Sequence, residues 1–560
     1  MEMLKKESSL NEILLSNWHP YLWIVLMIAL VYFRTLSFGF TSSDDKDLIL
    51  DNFKFISNLA NIPQAFMSRV FPKFPMPYYR PLLTVTFMLD YKIGGTDLFV
   101  YHITNILIHM CVCCMLFRLL TRLDFNKLSS LFLSLCFAIH PALVQAVAWI
   151  PGRNDSLLAL FALASFMSFL NYLDKRRRSD YVLYFVFFTL GLFTKESAIM
   201  IMAVCFLYVR LIDKNGLSGR ELKLFTCGWI VTIGCWYVMR EAALKGSFDT
   251  TFDSLADALW VRSPALVQYI GKVFMPFNLS VFPTIQDTTF LYGIASIMLL
   301  FFALICSKAR RWPFVIFGLF WFLLFLGPTF LRPSINFIND FQEHRMYLPM
   351  IGIGIILNEI DMVKRMSINK KTLSICAIIL AVFAAVNIRH ANNFRDRHIF
   401  WANVIETSPR SCSWLAHLQI ASIYFEEGSL DKAEQEYLRT IKIEHLASPA
   451  YAGLGNIYMA KNMPEMAEIQ FRKAIAAYPA NYLARVSLGT LYYKQGKLGA
   501  AAEMWVKALT YEPACKDALR NMAILCAEQK DFKAARFYVD RMREAGFDVP
   551  ADFLEKLKGG

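Results

Sequence analysis

No pairing pattern links the cysteines of this sequence. Nine of the twelve (Cys111, Cys113, Cys114, Cys136, Cys205, Cys227, Cys235, Cys306, Cys376) fall inside apolar stretches, and Cys412, Cys515 and Cys526 share no paired spacing. That argues against a disulfide framework and against a zinc motif. A cleavable leader is not expected either. The start, MEMLKKESSLNEILLSNWHP, is polar, with no short apolar core before a small-residue cleavage site, so the first apolar run is expected to be a retained anchor. There is no pair of matching halves interrupted at midplane, the pattern of many transporters. Nucleic acid is set aside as a partner despite a formal net charge of +13, because the basic residues cluster in short loops between apolar segments.

What the sequence has in plenty is apolar surface: 56% hydrophobic residues, 15% aromatic, 48 of them Phe. This is the composition of a polytopic membrane protein. Apolar windows of spanning length fall near 21–39, 99–120, 129–150, 156–173, 181–194, 197–212, 224–240, 288–307, 313–331, 346–360 and 373–388. The expected fold is all-α: a membrane bundle of about eleven spans (1–390), a connecting segment (391–411) and a second domain (412–560). Lys5/Lys6, Arg122/Lys127, Lys175 to Arg178, Arg210/Lys214/Arg220/Lys223, Lys308/Arg310/Arg311 and Lys364/Arg365/Lys370/Lys371 occupy alternate loops, which are therefore expected to be cytoplasmic. The other loops then face a periplasm or an ER lumen, and an odd span count puts the tail beyond about 390 with them.

The outward loops hold the candidate chemistry. Asp44 and Asp45, in FTSSDDKDLILDN, are adjacent carboxylates whose environments can push their pKa values apart, leaving one available as a base. The bland alternative is a solvated acidic loop. In the first outer loop, about 40–98, FKFISNLANIPQAFMSRVF is expected to lie on the membrane as an amphipathic helix. Arg80, before a proline in PYYRPLL, is expected to face the outer cavity. Arg153, Lys195 and Arg345 each read as surface cations singly. Gathered on the side of the acids, they suit an anionic substrate. His102, Asn105 and His109 share one helical face, either fixing helix packing or meeting a lipid-phosphate headgroup; metal ligation is a lesser alternative. His140 breaks the next span, and Glu196, Glu343, His344 and Tyr347 are further substrate-binding or structural polar candidates.

The tail is a repeat. Ala433, Ala467, Ala501 and Ala535 recur every 34 residues, in phase with Tyr424, Tyr458 and Tyr492, with Gly455 and Gly489, and with Pro479 and Pro513. This is the tetratricopeptide period, giving about four repeats over 412–548 and then a short polar capping helix.

Together, FTSSDDKDLILDN, YYRPLLTVTFMLDY, YHITNILIH, FAIHPALVQAVAWIPGRND, LFTKESAIM, EHRMYLP and RHANNFRDRHIFWANVIETSP resemble, in order, the transmembrane and tetratricopeptide-repeat-containing protein O-mannosyltransferases. The resemblance implies a C-type glycosyltransferase fold. It implies transfer of a sugar, typically mannose, from a polyprenyl-phosphate carrier to Ser or Thr hydroxyls on the non-cytoplasmic side. In that reading Asp44 or Asp45 is the base of an inverting attack, and Arg345, with Arg153, Arg80 or Lys195, binds the leaving phosphate. The partners are then the lipid-linked donor, an acceptor polypeptide held by the repeat groove, and membrane lipids. No cofactor is implied beyond the donor, and a divalent metal is left open without a motif to hold it.

The chain departs from the family pattern at Gln145 and Leu143, where members often carry Glu and His, and its EHRMYLP arginine lies one place late. The short repeat array points to a bacterial homologue in the inner membrane with periplasmic repeats, the alternative being an ER membrane with lumenal repeats. Two rival functions fit the same residues: a C-type transferase acting on a lipid or glycan, and a non-catalytic membrane scaffold whose repeats bind clients.

Overall fold

The computed structural model describes residues 12–71, 78–213, 216–244, 252–331 and 341–550. It divides into two compact units, Met1–Ser411 and Cys412–Gly560. The described residues are helices and connections throughout, with no strand beyond an isolated bridge.

Each expected apolar window in the first unit contains a helix. Six are long and apolar enough to cross a membrane, His19–Ser37, Leu98–Arg122, Ile150–Lys175, Gly219–Leu244, Trp312–Thr329 and Lys370–Phe394, with a seventh if the bent pair Lys127–Ala138 and Pro141–Ala148 is one span. The others are shorter. Met350–Leu357, at eight residues, rises only about 12 Å, far less than a hydrocarbon core of about 30 Å. Length therefore supports six or seven spans, where composition had suggested about eleven.

The connections nevertheless sort to two ends. At one, Gly39 N donates to Arg395 O, Arg80 pairs with Glu196, Lys195 with Asp155, Lys272 with Glu343, and Val281 N donates to Asn403. At the other, Arg122 pairs with Asp174, Arg176 with Glu221 and Arg311 with Glu359, while Asn126 donates to Met366 O and Lys308 N to Asp361. Every one of these contacts joins loops or helix ends of the same alternate set. The described basic loops thus share one end and the candidate acids the other, while Lys5 and Lys6 lie outside the described residues. Residues 391–411 belong to the first unit, where Phe394, Phe400, Trp401 and Val404 are buried.

Local sequence sets the helix ends that matter. Asp97 caps Leu98–Arg122 by accepting from Phe99 N, and Asn126 caps Lys127–Ala138 from Leu128 N and Ser129 N. Pro141 and Pro151 interrupt what would be one long helix, producing a 50° bend and then a short 3₁₀ turn before Arg153–Lys175. Gly152 is obligatory there: a Cβ would lie 2.1 Å from the carbonyl oxygen of Gln145. The expected interfacial helix in the first outer loop is instead three short pieces, Phe53–Ile56, Leu59–Asn61 and Ile62–Ala65. Asn58 caps a new turn by accepting from Ala60 N, and Pro63 starts the next, so the segment cannot run as one rod. Its apolar side packs into a small core with Leu83, Phe87, Met88 and Tyr101.

The second unit is four antiparallel helix pairs, from Ser413–Glu426 with Leu430–Ile443 to Lys516–Glu528 with Phe532–Glu544. Ala433, Ala467, Ala501 and Ala535 are fully buried where the helices touch. At Gly489 a Cβ would sit 2.6 Å from the Trp505 indole nitrogen, so only glycine admits that ring. The repeat is visible in its hydrogen bonds: Tyr458 donates to Glu434 and, 34 positions on, Tyr492 donates to Glu468. The expected capping helix falls largely on 551–560, outside the described residues.

Candidate active site

The paired acids are in different surroundings. Asp45 is buried, 1% exposed. Its carboxylate accepts from Thr41 N (2.5 Å), Thr41 Oγ1 (3.0 Å) and Ser43 N (2.9 Å). Burial pushes this carboxyl above the ordinary range, against the pull of those hydrogen bonds. Asp44, one residue earlier at the start of the Asp44–Leu48 turn, is exposed. Between Thr41 and the pair, Ser42 holds a left-handed backbone (φ 56°), a conformation costing about 1–2 kcal/mol for a residue with a Cβ. The three hydrogen bonds of Asp45 hold the loop closed over that residue. Asp45 thus anchors the loop, and Asp44 is the carboxylate it presents.

A relay of contacts leads from this loop to the cations. Trp149 Nε1 donates to Thr41 Oγ1 (3.1 Å), and its ring lies 6.1 Å from the His344 imidazole. His344 Nε2 is 3.7 Å from an Asp155 oxygen, and Lys195 Nζ is 2.7 Å from the other. Arg80 pairs with Glu196 at 3.3 Å. With its amide turned, Asn154 accepts from Arg80 and donates to Thr194 O. Pro81 keeps Arg80 out of the helix at the head of Pro81–Gly94 (φ −139°, ψ 58°), with its guanidinium over the Tyr78 ring. Burial alone would raise the Glu196 carboxyl, but Arg80 and Lys195 hold it below the usual range. Arg345 is half-buried in the same turn as His344. Three cationic or protonatable groups therefore meet two carboxylates at the end where Asp44 emerges.

Several sequence candidates have other duties. Arg153, expected among the phosphate ligands, is fully buried and paired with Asp90 at 2.5 Å. It also donates to Asn105 Oδ1, Thr86 Oγ1 and the Tyr101 carbonyl, which commits the guanidinium to holding three helices together. This corrects the expectation that it projects outward. Asn105 donates to the carbonyls of Val147 and Trp149 exposed by the helix break. His102 contacts the Phe38 carbonyl, and His109 bridges Tyr347 Oη and Ala138 O. His140 contacts Val273 O. Glu343 is buried against Lys272 at 3.0 Å. These are packing and capping roles, built from groups that must be satisfied away from water.

Asp155, Asp90 and Lys272 received no role from sequence reasoning, although Asp155 stands two residues after Arg153 in the same motif. Gln145, at the family's glutamate position, donates to Gln342 Oε1 at 3.2 Å. Among the described residues, no group of three His, Cys, Asp or Glu side chains is placed to hold a metal ion.

The fold and this cluster define a polytopic helical membrane protein carrying a repeat solenoid. A family model described as dolichyl-phosphate-mannose-protein mannosyltransferase matches residues 80–236, and a tetratricopeptide-repeat model matches 452–510 and 486–548. The chain is 23% identical over 627 residues to protein O-mannosyl-transferase TMTC3 of Mus musculus, covering 92% of this chain and 66% of the relative. It is 23% identical over 386 residues to protein O-mannosyl-transferase F38B6.6 of Caenorhabditis elegans (65% and 54%), and 32% identical over 156 residues to human protein O-mannosyl-transferase TMTC1 (26% and 17%). The chain spans at most about two thirds of the length of these relatives. By these matches the chain is similar to the transmembrane and tetratricopeptide-repeat-containing protein O-mannosyltransferases. These relatives are animal proteins, so the expected bacterial origin draws no support from them. A solved structure of the Cut9–Hcn1 heterotetramer covers 87% of this chain and 91% of its own at 12% identity, but its TM-score of 0.27 carries no argument.

Proposed function

We propose that the chain transfers a mannosyl group from a polyprenyl-phosphate carrier to Ser or Thr hydroxyls of polypeptides, on the non-cytoplasmic face of its membrane. One observation carries this reading: an exposed carboxylate, Asp44, is fixed beside a buried one at the same end of the bundle as Arg80, Lys195 and His344. The acceptor oxygen attacks the anomeric carbon from the face opposite the phosphate. As that bond forms, the hydroxyl proton passes to Asp44, and the bond from the anomeric carbon to the phosphate oxygen breaks, its electron pair leaving with the phosphate. The configuration inverts. A carboxylate acting in concert with bond formation contributes about 10²–10⁴ in rate. The leaving phosphate gains charge, and Lys195, Arg80 and Arg345 stabilise it electrostatically. Asp155 and Glu196 keep the first two cations in place until the donor arrives.

The face follows from the cations at the other end, whose loops stay in the cytoplasm. Residues 1–390 are the transferase part in this reading. The repeats of 412–560 hold an extended acceptor segment, the use to which stacked helix pairs are suited. The test is purified full-length protein given a panel of polyprenyl-phosphate sugars and an acceptor protein, with mass spectrometry of what becomes modified. A hexose on Ser or Thr from the mannosyl donor is the expected result. Label in lipid instead would favour the lipid-modifying rival, and no transfer from any donor would favour a scaffold.

A further inference from the structure

At the basic end of the bundle, far from the acids, the helices Leu98–Arg122, Arg153–Lys175 and Arg178–Thr194 leave a groove of about 430 Å³ between them. Met115, Leu160, Phe161, Ala164, Met167 and Phe187 make its apolar walls, and Arg118 and Asn171 lie toward its polar mouth. The walls run from Leu160 to Asn171 along one helix, roughly 17 Å at 1.5 Å per residue, close to the depth of one leaflet of a hydrocarbon core about 30 Å thick.

Arg118 is exposed and has no ion pair among the described residues. Arg122, one turn on, is already paired with Asp174 and Asn171. The groove helix that carries Asn171 ends at Lys175 and the next begins at Arg178, with Arg177 between them and Arg176 already paired with Glu221. Asp155 and Asn171 are sixteen residues apart on one helix, so this mouth is roughly 24 Å from the candidate active site along the axis.

We propose that this groove is a binding site for one anionic diacyl phospholipid of the leaflet at the basic end, its phosphate on Arg118 and an acyl chain against Leu160, Phe161, Ala164 and Met167. Charge decides the occupant. An apolar groove of leaflet depth accepts any acyl chain, but an unpaired guanidinium at phosphate level in a basic rim selects a headgroup of net negative charge. The site is separate from the donor site and does not depend on the transferase reading.

The experiment reconstitutes full-length protein in phosphatidylcholine nanodiscs containing phosphatidylglycerol with a mid-chain diazirine, and maps cross-links by mass spectrometry. Cross-links are expected in the peptides around 115–118 and 160–171. Arg118→Gln should lower them about fivefold, the factor for one cation at an anionic surface, while Arg118→Lys should retain most of them. Because Arg118 is exposed, neither variant should disturb folding, which the melting temperature checks. Equal labelling by a diazirine phosphatidylcholine, labelling insensitive to Arg118→Gln, or preferential labelling by a polyprenyl-phosphate probe would each overturn the proposal.

Discussion

Asp44→Asn and Asp45→Asn should fail in different ways. Asparagine at 45 keeps the shape of the side chain but turns one oxygen into an NH₂ group. In the better orientation it retains both Thr41 hydrogen bonds and loses the one from Ser43 N, leaving two donors facing each other. A hydrogen bond to a charged acceptor is worth about 1.5–3 kcal/mol, and removing a buried charge gives part of that back, for a net loss of about 1–2 kcal/mol. The damage is local: Thr41 loosens, and with it the Trp149 contact that leads to His344. Asparagine at 44 sits on an exposed side chain, so stability should change by no more than about 0.5 kcal/mol, while the rate of sugar transfer falls about 10²–10⁴-fold. The assay pairs transfer from a mannosyl-phosphoryl polyprenol to a Ser/Thr peptide with thermal melting in detergent. Asp44→Asn should lower kcat with little change in KM and none in melting. Asp45→Asn should lower melting and reduce transfer through the loop. If Asp45→Asn loses transfer with unchanged melting while Asp44→Asn stays active, the roles are reversed. If both remain fully active, the pair holds no base.

Arg153→Met should leave Asp90 buried without its counter-charge and lower stability by about 3–5 kcal/mol; the double variant Arg153→Met/Asp90→Leu should recover much of it, and unchanged melting of the single variant would refute the structural role. Glu196 gives a pH signature. Its carboxyl is held below its ordinary value of 4.5 in the fold, so its contribution is present above that pH and is lost as pH falls through the folded value. Between pH 7 and 4 the wild type should lose slightly more melting temperature than Glu196→Gln; the difference is small because 43% of this side chain is exposed. Parallel curves would count against the Arg80 pairing.

The sequence by itself determined the class of fold, because both of its signals are periodic. Apolar windows between alternating basic loops require helices with their ends sorted by charge, and a 34-residue repeat with alanines in phase requires stacked helix pairs. It also singled out a few motifs as the candidate site, since polar residues at the outer ends of apolar helices stand out against their surroundings. What it could not decide was the duty of each charge. Arg153 and Lys195 look alike in sequence, yet the first meets Asp90, 63 positions away, and is sealed inside the bundle, whereas the second meets Asp155 at the outer end. Asp44 and Asp45 are adjacent, and one turn of backbone sends one carboxylate inward to three donors and leaves the other exposed. The helices broken at Pro141 and Pro151 claim Asn105 to satisfy freed carbonyls, a demand that arises only when distant segments pack. Pairing energies and burial depend on which helices become neighbours, and that information exists only in the tertiary structure.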